Sequence, residues 1–341
     1  MKRNQQQLLI PILISLSLLL QSCGASTPAP PQEQSPPDKV KVLLLPFLGF
    51  APFVIADQEG YFIEQNLDVE FIQMYDSASV LTALVSGEID VAANYASVNI
   101  FNAIAQDANL KFVAGKGYVD PNGCEYHGLL ARNDLIESGE LDTVEQLAGR
   151  KIAMDATTVE GYYVSKVLAS GGLTLADVET VQMQIPDEPA ALESGQLDLT
   201  ATSEPWVTRI QDMGHASVWR PVQELIPDFQ FAVIYFGPQL LGENHDIGNR
   251  FMIAYLKAVR QYNEGKTDRN LEILVEFTGL EQDVLQRSCW PQIRNDGKIS
   301  SDSLLDFQSW AVSEGFLDAI VPVEEFWDPS FAEYANAALA P

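Results

Sequence analysis

The sequence predicts an α/β protein of two similar lobes, each a mainly parallel sheet flanked by helices, with a ligand cleft between them. Two observations carry this. The first is a repeat: Ala83-Leu84-Val85-Ser86-Gly87-Glu88-Ile89-Asp90-Val91 recurs as Ala191-Leu192-Glu193-Ser194-Gly195-Gln196-Leu197-Asp198-Leu199. In each copy an apolar-faced helix ends, and the Gly can take the left-handed position after it at little cost. Ile89 or Leu197 then starts a short apolar strand. Polar residues follow each strand, Asn94-Tyr95-Ala96-Ser97 in one case and Thr202-Ser203-Glu204-Pro205-Trp206 in the other. Strand ends that lead into helix starts are where an open α/β sheet presents ligand contacts. The second observation is the alternation of strand-like and helix-like segments along the chain, which calls for parallel sheets covered by helices.

The alternation runs in order. Residues 40–45 read as a strand, 53–60 as a helix, 69–72 as a strand, and 77–86 as a helix capped by Asp76 or Ser77. Residues 89–93 are a strand, 98–106 a helix and 110–114 a strand. The Gly- and Pro-containing stretch 115–128 is the first crossing between lobes. Strands follow at 129–131, 151–154, 178–183, 197–201 and 216–219, interleaved with helices at 143–147, 161–170, 189–194 and 205–213. The apolar run 229–236 returns to the first lobe. Residues 249–262 form an amphipathic helix with Phe251, Tyr255 and Val259 on one stripe, and helices continue at 271–277, 281–287 and 301–313. Trp290, Trp310 and Trp327 in this tail read as packing residues. The lobes are thus expected at 40–128 with 230–341, and at 129–229.

Of 341 residues, 47% are hydrophobic and 20% charged, an ordinary globular balance. The formal net charge of -27 argues against nucleic acid, which needs a basic face. Lys2 and Arg3 followed by an apolar core over residues 8–20 read as a secretory leader, too short and Pro-interrupted for a comfortable membrane span. Residues 24–38, rich in Pro, Ser, Ala and Gln, read as an extended tether. The two remaining cysteines, Cys124 and Cys289, either pair in an oxidising compartment or stay as free buried thiols. With no CxxC and three His, no metal site is expected. The adjacent acids Asp187 and Glu188 lie in a Pro-flanked loop and read as solvated, and no His- or Cys-based nucleophile set points to catalysis.

Several stretches resemble a known family. Leu20-Gln21-Ser22-Cys23 resembles a bacterial lipobox, which implies cleavage after residue 22 and lipid on Cys23. Ala56-Asp57-Gln58-Glu59-Gly60-Tyr61-Phe62, Asn66-Leu67-Asp68-Val69-Glu70 and residues 83–90 resemble the solute-binding proteins of ABC importers. The group is the periplasmic-binding-protein type II members of the sulfonate, nitrate and thiamine-pyrimidine (NMT1/THI-like) kind. Residues 147–153 and 172–178, and Ser203-Glu204-Pro205-Trp206, agree with this. The resemblance implies a monomeric, lipid-anchored extracytoplasmic protein without cofactor, a small-molecule ligand, and permease and ATPase partners. ATP hydrolysis would belong to the partners, since no Gly-x-x-x-x-Gly-Lys-[Ser/Thr] occurs here. An enzyme or a sensor on the same fold is the alternative.

On that fold six loops would line the cleft: 46–52, 75–79, 94–99, 155–163, 185–189 and 202–206. They offer rings at Phe50, Tyr75, Tyr95, Tyr162 and Trp206 for stacking. They offer acceptors and hydroxyls at Asp76, Ser77, Asn94, Ser97, Asp155, Thr157, Thr158, Glu160 and Glu204. None of these loops carries Lys or Arg. Aromatic plates with an acceptor-rich rim point to a heteroaromatic vitamin or precursor, with riboflavin first, a thiamine-type pyrimidine next and an alkanesulfonate or nitrate after that.

Overall fold

Two five-stranded mixed sheets, shown in a computed structural model that describes residues 35–74 and 76–340 (backbone only at Ser77), organise the chain. The expected leader, Cys23 and most of the tether fall outside the described residues, as does Tyr75. Sheet one is ordered β2-β1-β3-β10-β4, and sheet two β7-β6-β8-β5-β9. Their strands are β1 (Asp38–Leu43), β2 (Leu67–Ile72), β3 (Val91–Tyr95), β4 (Lys111–Tyr118) and β10 (Gln230–Phe236), and β5 (His127–Arg132), β6 (Lys151–Ala153), β7 (Glu179–Val181), β8 (Leu199–Ser203) and β9 (Ala216–Pro221). In each sheet one strand, β10 or β5, runs against its neighbours, and the same positions in the order match.

Helices cover the sheets. In the first part of the chain they are α1 (Ala51–Gln58), α2 (Tyr61–Glu64), α3 (Ser77–Val85) and α4 (Val98–Ala105). Between the strands of sheet two lie α5 (Asn133–Glu137), α6 (Val159–Ser170), α7 (Glu188–Glu193) and α8 (Trp206–Asp212). After β10 come α9 (Pro238–Leu241), α10 (His245–Tyr262), α11 (Asp268–Thr278), α12 (Gln282–Arg287), α13 (Ser301–Ser313), α14 (Val323–Phe326) and α15 (Ser330–Ala338). The stripe read from the sequence on α10 is buried: Phe251 and Tyr255 pack on Phe53 of α1, ring centres 5.9 and 5.2 Å away. The tail does not stay with sheet one. Arg287 of α12 forms an ion pair with Asp212 of α8 at 2.8 Å, and Trp310 of α13 packs on Tyr162 of α6 at 5.5 Å.

The repeat occupies matching places, between α3 and β3 and between α7 and β8. Gly87 and Gly195 have φ of 77° and 73°, the left-handed region that Gly enters without a Cβ penalty. The N–H of Ile89 donates to the Ala83 carbonyl, and that of Leu197 to Ala191, both at 3.1 Å. These bonds close the helix end. Ile89 and Leu197 therefore belong to the helix cap, and the strands begin at Val91 and Leu199 rather than at the apolar residue itself. The Asp that follows works identically in both copies. Asp90 donates its N–H to the Lys41 carbonyl at 2.9 Å and accepts the Lys41 N–H on its carboxylate at 2.8 Å. Asp198 does the same with Lys151, at 2.9 and 2.9 Å. Each Asp side chain thus extends a parallel ladder by one bond.

The first crossing is shorter than expected. β4 continues to Tyr118 and β5 starts at His127. Gly115 is needed inside β4, since a Cβ there would lie 3.0 Å from both Gln230 and the Lys298 carbonyl. The outward and return crossings run side by side, with Val119 N–H on Phe229 O at 2.9 Å and Asp228 N–H on Val119 O at 2.8 Å. Cys124, in the outward crossing, is disulfide-bonded to Cys289, beyond α12 and 165 residues away.

Candidate functional site

The strand ends of the two sheets meet at a seam. Val98 N–H, at the start of α4, donates to Thr157 O at 2.9 Å, and Ser97 and Thr158 form an antiparallel bridge. The Tyr95 hydroxyl, at the end of β3, lies 2.8 Å from the Ser203 hydroxyl at the end of β8. Both α4 and α6 begin here, so the positive ends of two helix dipoles face the seam. The loop leading into α6 builds itself. Asp155 accepts from Thr157 N–H at 2.9 Å and from its hydroxyl at 2.7 Å. Thr158 caps α6 through Glu160 N–H at 3.2 Å, and Glu160 accepts the Asp155 N–H at 3.0 Å. Gly161 admits no side chain, because a Cβ would sit 2.2 Å from the Ala156 carbonyl oxygen.

Behind the seam lies a buried polar cluster. Glu160 is 8% exposed and Glu188 4%. Burial raises the Glu160 carboxyl to about 8, with Glu188 and Asp155 adding repulsion and the Asp155 N–H opposing it. Burial likewise raises Glu188 to about 8, against the Thr200 hydroxyl bond of 2.6 Å. Both are therefore largely protonated acids at neutral pH. Glu188, read from the sequence as solvated, instead turns under α7 onto β8. The buried Thr200 on that strand was the one local hint of a polar partner.

His127 opens β5 at the same place, 1% exposed, with burial lowering its pKa to about 3, so it is neutral. It is walled by Tyr95, Tyr163 and Phe231, ring centres 5.8, 5.1 and 4.2 Å away. Among the described residues neither of its ring nitrogens has a hydrogen-bond partner, and the Tyr126 and Thr202 hydroxyls share that state. These groups hold donor and acceptor capacity in reserve at the junction of the sheets.

The expected site residues divide. Tyr95, Ser97, Thr157 and Thr158 converge on the seam. Asn94 bonds its own neighbour, accepting Tyr95 N–H at 2.8 Å, and Asp155 closes the turn described above. Trp206 is half-buried under the Arg209 guanidinium, 4.3 Å from its ring. Four others have structural partners. Phe50 is 2% exposed and packs on Phe53 at 6.1 Å. Tyr162 is core: it stacks on Phe229 at 5.1 Å and donates its hydroxyl to Asp306. Asp76 caps α3, accepting Ser79 N–H at 2.8 Å, which with the Ser79 hydroxyl lowers its pKa. Glu204 spends both oxygens on Thr208 N–H and hydroxyl (3.0 and 2.8 Å) and on Cys289 N–H (3.1 Å), tying α8 to the disulfide. Ser77 is placed by its backbone alone, in the first turn of α3, and Tyr75 lies outside the described residues.

Two α/β lobes whose strand ends meet over a buried polar cluster define the two-lobed fold of solute-binding proteins. Solved structures agree. The ligand-binding component of an ABC-type import system from Staphylococcus aureus superposes with a TM-score of 0.71 at 16% identity, covering 87% of this chain and 99% of that one. The periplasmic nitrate-binding protein from Synechocystis PCC 6803 superposes with a TM-score of 0.72 at 16% identity, covering 89% of each. Residues 48–264 match the family described as NMT1/THI5 like, and the chain belongs to that family. A putative thiamine biosynthesis protein of Haemophilus influenzae is 25% identical over 168 residues; the match spans 47% of this chain and 48% of that relative, about half its length.

Proposed function

We propose that this protein captures a small solute at the seam between its sheets and delivers it to an ABC importer. Closing strand ends, two helix N-termini and a buried polar cluster are the parts such a receptor needs, and hinge motion about the crossings would open it. Delivery requires a permease and an ATPase as partners. The lipobox read from the sequence supports a lipid anchor on the outer face of the membrane. Among the described residues no helix is long and apolar enough to cross a membrane.

The observation that carries the ligand class is the pair of buried carboxyls near Tyr95, Glu160 and Glu188, 8% and 4% exposed, whose pKa burial raises to about 8. A neutral carboxyl donates to a ring nitrogen and accepts from the neighbouring exocyclic amine at the same time. That is the edge of an aminopyrimidine, so a thiamine-type pyrimidine is the preferred ligand. Riboflavin, favoured by loop composition, becomes the second reading, because two of the rings meant to stack on it, Phe50 and Tyr162, are packed in the core. Calorimetric titration of 4-amino-5-hydroxymethyl-2-methylpyrimidine, riboflavin, taurine and nitrate into the chain lacking residues 1–23 tests this. The pyrimidine should bind; Glu160→Leu, which removes both donor and acceptor, should weaken it about tenfold or more, and Glu160→Gln, which keeps one of each, should bind it about as the parent does. Binding of taurine or nitrate alone would overturn the pyrimidine assignment.

A further inference from the structure

Lys116 lies towards the end of β4, between Gly115 and Gly117, and is 4% exposed. The six cleft loops carry no cation; this one comes from a strand instead. Gly115 pairs with Val233 of β10, which in turn faces Asn94, while Gly117 and Tyr95 both face Ala232. Lys116 therefore sits level with the Asn94–Tyr95 end of β3, at the edge of sheet one that meets sheet two. Its ammonium lies 3.6 Å from the centre of the Phe50 ring. A Cβ on Gly49 would lie 3.3 Å from the same nitrogen, so the loop that closes over it is trimmed to Gly at this point. Among the described residues no charged or hydrogen-bonding neighbour offsets its burial.

Removing an ammonium from water without an anion is costly, and a cation–π contact offsets only part of that cost. Burial accordingly lowers the Lys116 pKa to about 7. A group held at such cost, at the ligand edge of the sheet, has a use when an anion arrives. We propose that Lys116 receives an anionic group of the solute, a carboxylate, sulfonate or phosphate, under the loop 47–50. The inference rests on the solute-binding reading of the seam. It adds that the solute carries an acidic group as well as the donor-bearing ring that Glu160 and Glu188 would hold.

The test uses inorganic phosphate, methanesulfonate and acetate as probes on the chain lacking residues 1–23. Thermal unfolding should shift upward saturably with at least one of them. Lys116→Met should weaken that anion at least tenfold, and Lys257→Met, which removes a partly exposed cation of α10 paired with Glu64, should leave it unchanged. Lys116→Met removes a desolvated charge, so its own unfolding temperature should be no lower than that of the parent. Should it fail to fold, lysine labelled with carbon-13 at the ε position gives a second readout. The Lys116 signal, assigned through Lys116→Arg, should move with the same titration. An equal anion effect in Lys116→Met, a Lys116 signal that does not move, or no effect of any probe would overturn the proposal. Failure of the pyrimidine to bind while the anion effect holds would sink the donor-edge reading and leave Lys116 in place.

Discussion

Replacing Cys124 and Cys289 together by Ser removes a cross-link that closes a loop of 165 residues. The chain-entropy relation for a loop of that length gives about 5 kcal/mol of stabilisation through the unfolded state. Native cross-links usually deliver between about 2 and 5 kcal/mol, so the expected loss lies in that interval. It is large against a typical total of about 5–15 kcal/mol. Urea unfolding followed by tryptophan fluorescence measures it. With a slope of about 3 kcal/mol per molar, the midpoint should fall by roughly 0.7–1.7 M. The slope should rise as well, because the reduced chain unfolds to a more expanded state. The oxidised parent treated with reductant should match the double variant. The loop argument is refuted if parent and variant share a midpoint, or if the folded parent presents both thiols to a thiol reagent.

Two other outcomes follow from the structure. Asp90→Ala and Asp198→Ala each leave a strand N–H, that of Lys41 or Lys151, without its acceptor, and each should cost about 1–3 kcal/mol. The two sites lie in different sheets, so the costs should add; chemical denaturation of the double variant showing a coupling above about 0.5 kcal/mol would contradict the independence of the two units. Stability should also depend on pH with a maximum near pH 5. Glu160 and Glu188 are raised to about 8, so their contribution is full below about 4.5, the unfolded value, and is lost as pH rises towards 8. His127 is lowered to about 3, so its contribution is full above about 6.5 and is lost as pH falls below that. Thermal scans of the ligand-free protein should melt higher at pH 5 than at pH 8, and Glu160→Gln with Glu188→Gln should flatten that difference.

Much of the architecture was legible because it is local. The repeat encodes a helix end, a left-handed Gly and a strand start within nine residues, and the structure differs only in where the strand begins. The seam residues Tyr95, Ser97, Thr157 and Thr158 were also readable, since strand ends and helix caps carry local signals. What could not be read depends on partners far along the chain. Tyr162 looks like a cleft ring until Asp306, Trp310 and Phe229 close around it. Glu204 looks like a free acceptor until Cys289, 85 residues later, supplies an N–H. Glu188 reads as a surface acid because charge is normally solvated, and only the turn of α7 onto β8 shows otherwise. Lys116 sits on a strand, and only the pairing of β4 with β10 brings it level with the end of β3.

The placement of β10 sets the order in which the chain can be completed. Every strand of sheet two lies within residues 127–221, so that sheet can assemble from one continuous stretch. Sheet one cannot. Its β3 and β4 are not neighbours; residues 230–236 must slot between them. Until that stretch emerges, both strands keep unpaired edges, the kind of surface on which foreign strands add. The half of the protein made first is therefore finished last, and the later half must be in place before it closes.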